Sequence, residues 1–203
     1  MFDHHLIRWQ DTLFGGAAAW LSSRGVSADQ VTMGGFVIGV CGSLLLTQAF
    51  YGAALAMILL NRLLDGLDGA VARRQGPTER GAFLDIGLDF FFYATVPFGF
   101  AVADPAANAL AASALLLSFV GTGSSFLAFA MVAAKRGLTS SAYPQKGLYY
   151  LGGLTEGAET IIAFAAMCLF PSYFAVISWV FAALAMITTV TRWLWGWRLL
   201  SAP

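Results

Sequence analysis

Residues 63–90 read LLDGLDGAVARRQGPTERGAFLDIGLDF, and four of them are aspartates. Asp65 and Asp68 are spaced i, i+3 and share one face of a helix. Asp85 and Asp89 are spaced i, i+4 and share one face of the next. Gln75-Gly76-Pro77-Thr78 supplies the turn between the two helices. An antiparallel pair built this way gathers four carboxylates near one end. A carboxylate in a membrane helix costs about 2.5–3.5 kcal/mol at mid-span, so four in one place call for a chemical reason.

The rest of the chain makes a membrane the expected setting. Of 203 residues, 59% are hydrophobic and only 11% charged, and the mean hydropathy is +0.74. A soluble domain carries about 25% charged residues. This composition excludes a disordered chain, a nucleic-acid-binding module and an ordinary cytosolic enzyme. Charge-free runs cover 30–61, 105–134 and 160–191, and a spanning helix needs about 20 apolar residues. Turn signals at Gln48–Gly52 and at Phe170-Pro171-Ser172 divide the first and third runs. The spacing predicts an all-α, polytopic membrane bundle of six transmembrane helices, at 31–50, 53–73, 82–103, 107–134, 148–169 and 173–199. Residues 1–203 form one domain on this reading, with the six-span bundle over 31–199. A β-barrel is excluded, because no ten-residue alternating segments occur.

The basic residues orient the bundle. Arg8, Arg24, Arg62, Arg73, Arg74, Arg80, Lys135, Arg136, Lys146, Arg192 and Arg198 all fall toward one side, and the opposite loops hold only Asp104. The positive-inside rule makes the basic side cytoplasmic, with both termini and the aspartate cluster there. The expected location is a bacterial inner (cytoplasmic) membrane. No signal peptide precedes the first span. Residues 3–23 alternate apolar Leu6, Ile7, Trp9, Leu13, Phe14 and Trp20 with polar positions. They suit an interfacial amphipathic helix, or one that packs on the bundle. His4 and His5 are adjacent and point apart on a helix, which argues against a metal role. Cys41 and Cys168 lie in apolar stretches and are expected as buried thiols. Asp29 is a candidate N-cap for the first span.

Four carboxylates at close range cannot all ionise without counter-charge. Arginines 62, 73, 74 and 80 could form a structural network with them. Divalent cations are the stronger answer. Oxygen ligands without Cys or His indicate a hard ion, Mg²⁺ or Mn²⁺, and paired metals serve displacement at phosphorus. Gly66 and Gly69 leave the helix bare beside Asp65 and Asp68, where a phosphate group could approach the backbone. Arg73 offers a planar fork of donors for that phosphate.

Asp65-x-x-Asp68-Gly69-x-x-Ala72-Arg73, seven residues, then Gly81-x-x-x-Asp85-x-x-x-Asp89 resembles the signature of the CDP-alcohol phosphotransferase family. The motif spans 25 residues, and the six-span pattern extends the likeness over most of the chain. The resemblance implies an enzyme of phospholipid synthesis. It transfers a phosphatidyl group from CDP-diacylglycerol, or a related CDP-alcohol, to a small hydroxyl acceptor and releases CMP. Asp65, Asp68 and Asp85 then match metal ligands, and Asp89 completes the site for a second metal. Asp89 also matches the general base. Asp65, Asp68, Gly69, Ala72, Arg73, Thr78 and Gly81 match positions that hold the CDP moiety. Two Mg²⁺ or Mn²⁺ ions per site and a homodimer follow from the same likeness. In one place the chain departs from it: many relatives carry Pro-Asn and a threonine before span one, and Asp29-Gln30-Val31-Thr32 keeps only the threonine.

Two groups could select the acceptor. Lys135, Arg136, Lys146 and Arg192 suit a phosphorylated acceptor, or serve only as cytoplasmic anchors. Glu156 and Glu159, on one face of span five at i, i+3, suit a cationic acceptor such as an amino alcohol or serine. The alternative for these acids is to neutralise nearby bases, and Gly153-x-x-x-Gly157 beside them is a close-packing motif for helices. Two rival functions remain. One reverses the lipid roles, with CDP-choline or CDP-ethanolamine as donor and diacylglycerol as acceptor. The other is a cation transporter, although transport sites usually lie near the midplane and these acids lie near one end.

Overall fold

The computed structural model describes residues 3–137 and 153–201, with side chains from residue 13 onward. Among the described residues there are seven α-helices and no strand. They are α1 (Asp3–Ser23), α2 (Ala28–Thr47), α3 (Tyr51–Gln75), α4 (Glu79–Ala103), α5 (Pro105–Lys135), α6 (Gly157–Leu169) and α7 (Phe174–Ser201), with a 3₁₀ turn at Pro171–Tyr173. The expected all-α membrane fold stands. By length and composition α2, α4, α5 and the stretch Pro171–Ser201 can each cross a membrane. Their outward faces carry exposed side chains such as Val37, Phe98, Leu110, Leu117 and Trp197. Water would not tolerate that much apolar surface.

The second and fifth expected spans differ from those four. α3 has the length, at 25 residues, but Arg62, Asp65, Asp68, Arg73 and Arg74 make it too polar to pass on composition. α6 begins only at Gly157 and has 13 residues. Residues 153–156 are not helical, so the Gly153-x-x-x-Gly157 run is not a helix-packing stripe. Lys146 and the expected start of span five at 148–152 lie outside the described residues.

Helix ends follow local chemistry. Ser27, not Asp29, caps α2. The Ser27 side chain accepts the Gln30 N–H at 3.3 Å, and Gln30 Oε1 accepts the Ser27 N–H at 2.9 Å, a reciprocal capping box. Asp29 lies in the first turn and pairs with Arg80 at 2.5 Å. α3 ends at Gly76, whose φ of +94° is a conformation that costs a glycine little. Asp104 caps α5 by accepting the Ala107 N–H at 3.1 Å, with Pro105 at the first helical position. Pro171 separates α6 from α7, as the sequence predicts.

The chain sorts into two compact units, Met1–Gly99 and Phe100–Pro203. In the first, Ala18 of α1 packs on Ala70 and Val71 of α3, with Phe14, Leu21 and Leu67 around them. Gln75 Nε2 donates to the Val26 carbonyl at 2.7 Å. Helix α1 therefore packs on α3 through its C-terminal half. Along α2, Gly35 and Gly39 face α3 and α4. A Cβ at Gly39 would lie 2.6 Å from the Phe92 ring and 3.0 Å from Asn61 Nδ2, so only glycine allows this approach.

In the second unit α5 packs on α7. A Cβ at Gly121 would lie 2.9 Å from Thr189 Oγ1. Phe100 stacks on Phe174 with centroids 4.4 Å apart. Cys168 is buried, as expected, but Cys41 is exposed, because it falls on the outward face of α2; both are free thiols.

Candidate active site

Three helices of the first unit build the site. On α3, one turn separates Asp65 from Asp68. On α4, one turn separates Asp85 from Asp89. The connection over 76–78 is three residues long, so the linked ends of the two helices stay close together. Carboxylate oxygens of Asp65, Asp68 and Asp85 come within 4.8 Å of one another. Asp68 is the most buried, at 6% exposure. Its Oδ2 accepts a 2.6 Å hydrogen bond from the Thr32 hydroxyl of α2. That bond fixes which way the carboxylate faces. It also gives a role to the one residue of the Asp29–Thr32 segment that keeps the expected pattern.

Asp89 lines the same cleft, together with Thr32, Asn61 and Arg62, but its carboxylate is otherwise engaged. Arg62 Nη2 reaches Asp89 Oδ1 at 2.6 Å and Arg62 Nη1 lies 3.7 Å from Asp65 Oδ2. Sequence reasoning placed Arg62 near the cytoplasmic end and among four arginines that could form a network with the aspartates, and Arg62 does pair with Asp65 and Asp89. Its i, i+3 spacing to Asp65 was the available signal. Its pairing across to α4 is a tertiary feature that spacing does not reveal.

The expected CDP-binding positions cluster at the adjoining helix ends. A Cβ at Gly69 would sit 3.2 Å from Arg73 Nη1, so the missing side chain gives the Arg73 guanidinium its place. A Cβ at Gly81 would sit 3.1 Å from Thr78 Oγ1 and 3.2 Å from Asp29 Oδ1. Thr78 Oγ1 accepts the Gly81 N–H at 3.0 Å. Ala72 is half-buried on α3, one turn beyond Asp68. Arg73 and Thr78 are exposed at the end of the helix pair.

Of the six acceptor candidates Lys146 lies outside the described residues, and the other five lie in the second unit. Glu156 is at the N-cap of α6, where its Oε1 accepts the Gly153 N–H at 3.0 Å. Glu159 Oε2 accepts the Glu156 N–H at 3.0 Å. The pair does not share a helix face, because Glu156 has extended backbone and precedes the helix. Arg192 is buried in α7. Its Nη1 donates to the Thr122 carbonyl at 3.2 Å, and its guanidinium lies 5.8 Å from the Phe126 ring. Lys135 is exposed at the last turn of α5.

Hard oxygen donors from three carboxylates suit a divalent cation such as Mg²⁺ or Mn²⁺, with Asp65, Asp68 and Asp85 as its holders. Three converging carboxylates that could hold a cation, beside a basic, glycine-lined helix end, are parts that suit phosphate esters. A family model for CDP-alcohol phosphatidyltransferases matches residues 26–191. The Escherichia coli inner membrane protein YnjF is 53% identical over 192 residues, covering 95% of this chain and 93% of that one. An archaetidylinositol phosphate synthase of Pyrococcus horikoshii is 39% identical over 87 residues, 40% of this chain and 44% of that one.

Among solved structures, the phosphatidylinositol phosphate synthase of Mycobacterium tuberculosis is similar in two states. With manganese and citrate the TM-score is 0.72 at 27% identity, covering 90% of this chain and 88% of that one. With CDP-DAG bound it is 0.67 at 25% identity, covering 90% and 92%. The chain belongs to the CDP-alcohol phosphatidyltransferase family. It is thus a membrane transferase of phospholipid synthesis, and the cation-transporter alternative falls away.

Proposed function

We propose that this protein transfers the phosphatidyl group of CDP-diacylglycerol to a small hydroxyl acceptor and releases CMP. The observation that carries the reading is the convergence of Asp65, Asp68 and Asp85 within 4.8 Å beside the Gly69–Arg73 helix end. The M. tuberculosis structures in complex with manganese and with CDP-DAG support it. Divalent cations bound by these carboxylates would polarise the phosphoryl oxygens and stabilise the leaving phosphate. Arg73 supplies a forked donor to the diphosphate, and the bare Gly69 and Gly81 backbone lets that group approach. Thr32 keeps the Asp68 carboxylate turned toward the cleft. Asp89, one turn along α4 from Asp85, accepts the proton of the incoming hydroxyl at a carboxylate oxygen.

The acceptor of this reading is a phosphorylated polyol rather than an amino alcohol. Glu156 and Glu159 are engaged in capping α6, which weakens the case for an ammonium site. The phosphatidylinositol phosphate synthase and the archaetidylinositol phosphate synthase among the similar proteins favour a phosphorylated acceptor. Six spans, a homodimer, an inner-membrane location like that named for the E. coli relative, and a cytoplasmic active site complete the proposal. Purified protein given CDP-diacylglycerol should release CMP only with an added acceptor and Mg²⁺ or Mn²⁺. Inositol phosphate and glycerol phosphate should support turnover better than serine or ethanolamine. No CMP with any acceptor, or CMP only from CDP-choline and diacylglycerol, would sink the reading.

A further inference from the structure

Arg62 is tied down on every side. Its Nε donates to Asn61 Oδ1 at 2.7 Å, its Nη1 to the Tyr93 hydroxyl at 3.1 Å and its Nη2 to Asp89 Oδ1 at 2.6 Å. The guanidinium carbon lies 4.8 Å from the Phe92 ring centroid and 5.2 Å from that of Tyr93, a cation–π seat on both rings. Asn61 is buried and anchored in turn by donating to the Gly35 carbonyl at 2.9 Å. The side chain of Arg62 is only 15% exposed. A surface arginine could swing away from an arriving cation, but this one has no such freedom.

The consequence is asymmetry inside the acid cluster. Asp65, Asp68 and Asp85 offer converging oxygens, while Asp89 already shares its carboxylate with a fixed positive charge. We propose that Arg62 is a positioning residue that makes the two halves of the cluster unequal. The Asp65–Asp68–Asp85 half takes a divalent cation first and tightly. Asp89 takes part in holding a second only against competition from the guanidinium. This rests on the cation-centre reading above and assigns the order of loading within it. The physical ground is Coulombic. A guanidinium within 4 Å of both Asp65 and Asp89 repels a cation placed between them, and partial burial weakens the screening of that repulsion. Only a planar fork can hold Asp89, Tyr93 and Asn61 at once.

The test is a Mn²⁺ titration of the full chain in detergent micelles, read by the electron paramagnetic resonance signal of free Mn²⁺, without any CDP-lipid. The wild type should show one tight ion and a second bound at least about tenfold more weakly. In Arg62→Gln the second ion should tighten by about tenfold or more while the first changes much less. Arg62→Lys, which keeps the charge but loses the fork that fixes it, should fall between the wild type and Arg62→Gln. If Arg62→Gln does not fold, Tyr93→Phe carries the test. Loosening one tether should tighten the second ion by about twofold to threefold, and an unchanged isotherm would then overturn the proposal. Superimposable isotherms for wild type and Arg62→Gln, with only the melting temperature lowered, would show a structural role and overturn it. So would weaker Mn²⁺ binding in a folded Arg62→Gln, or a wild type that binds no Mn²⁺. A wild type that binds Mn²⁺ as expected but releases no CMP would instead sink the proposed function and leave this inference standing.

Discussion

Asp65 and Asp68 on α3 share the i, i+3 spacing and apolar neighbourhood of Glu156 and Glu159 at the start of α6, yet different partners satisfy them. Within α3 most backbone N–H groups near residues 65 and 68 are spent on the helix ladder. The two carboxylates therefore turn chiefly to side chains: Thr32 for Asp68, which the Gly69 backbone also reaches, and Arg62 beside Asp65. At the start of α6 the first N–H groups have no helical partner. A carboxylate there finds a donor at once, as Glu159 does with the Glu156 N–H. Spacing alone does not separate a ligand pair from a cap. Position along the helix does.

The contrast is most exposed to failure at the aspartates. Asp65→Asn, Asp68→Asn or Asp85→Asn should each lower turnover by about 10³-fold or more, since on the proposed reading several kcal/mol of transition-state stabilisation rest on the cations they would hold. Thermal melting should show the variants folded. Turnover that survives excess chelator would break the comparison from this side. Asp89→Asn comes next. A general base contributes about 10²–10⁴-fold, so single-turnover CMP release should slow by that order with CDP-lipid affinity little changed.

Thr32→Val keeps the volume and removes the bond to Asp68. Losing a partner that orients a ligand typically costs about 10–100-fold in metal affinity or activity. The Mn²⁺ concentration for half-maximal turnover should rise by about that factor, with saturated turnover nearer normal. The smallest effect belongs to the other half of the comparison. Glu156→Ala should lower stability by about 1 kcal/mol, as loss of a cap does, and the melting temperature by roughly 2–4 °C. Both KM values should stay normal. A raised KM for the acceptor alone would place Glu156 in a binding site and dissolve the contrast.

The aspartate half was legible in the sequence because helical periodicity converts spacing directly into a shared face, and a three-residue turn keeps the linked helix ends close. Thr32 was visible only through family likeness, since nothing in the spacing from 32 to 68 predicts a contact. The Arg62–Asp89 pair follows from no spacing either, and Arg62 stood only as one of four arginines that could form a network with the aspartates. Ser27 displaced Asp29 as the cap of α2 because Gln30 completes a reciprocal pair with Ser27, while Arg80 offers Asp29 a charged partner. At Glu156 an unbroken apolar run was extended through residues that the backbone uses to enter the helix. The expected second span is present as a helix; its charges serve the site, which is why composition alone does not mark it as crossing.

All four aspartates, Arg62 and Tyr93 fall between residues 62 and 93, on two consecutive helices joined by three residues. Nearly the whole centre is thus local in sequence, and local contacts form early because little loop entropy opposes them. A ribosome feeding this chain into a bilayer has delivered every carboxylate of the site before most of the residues beyond 99 exist. The hairpin has only to close on α2, already in place, to bring Thr32 to Asp68. Such an order of synthesis allows the centre to form before the second half of the chain is made.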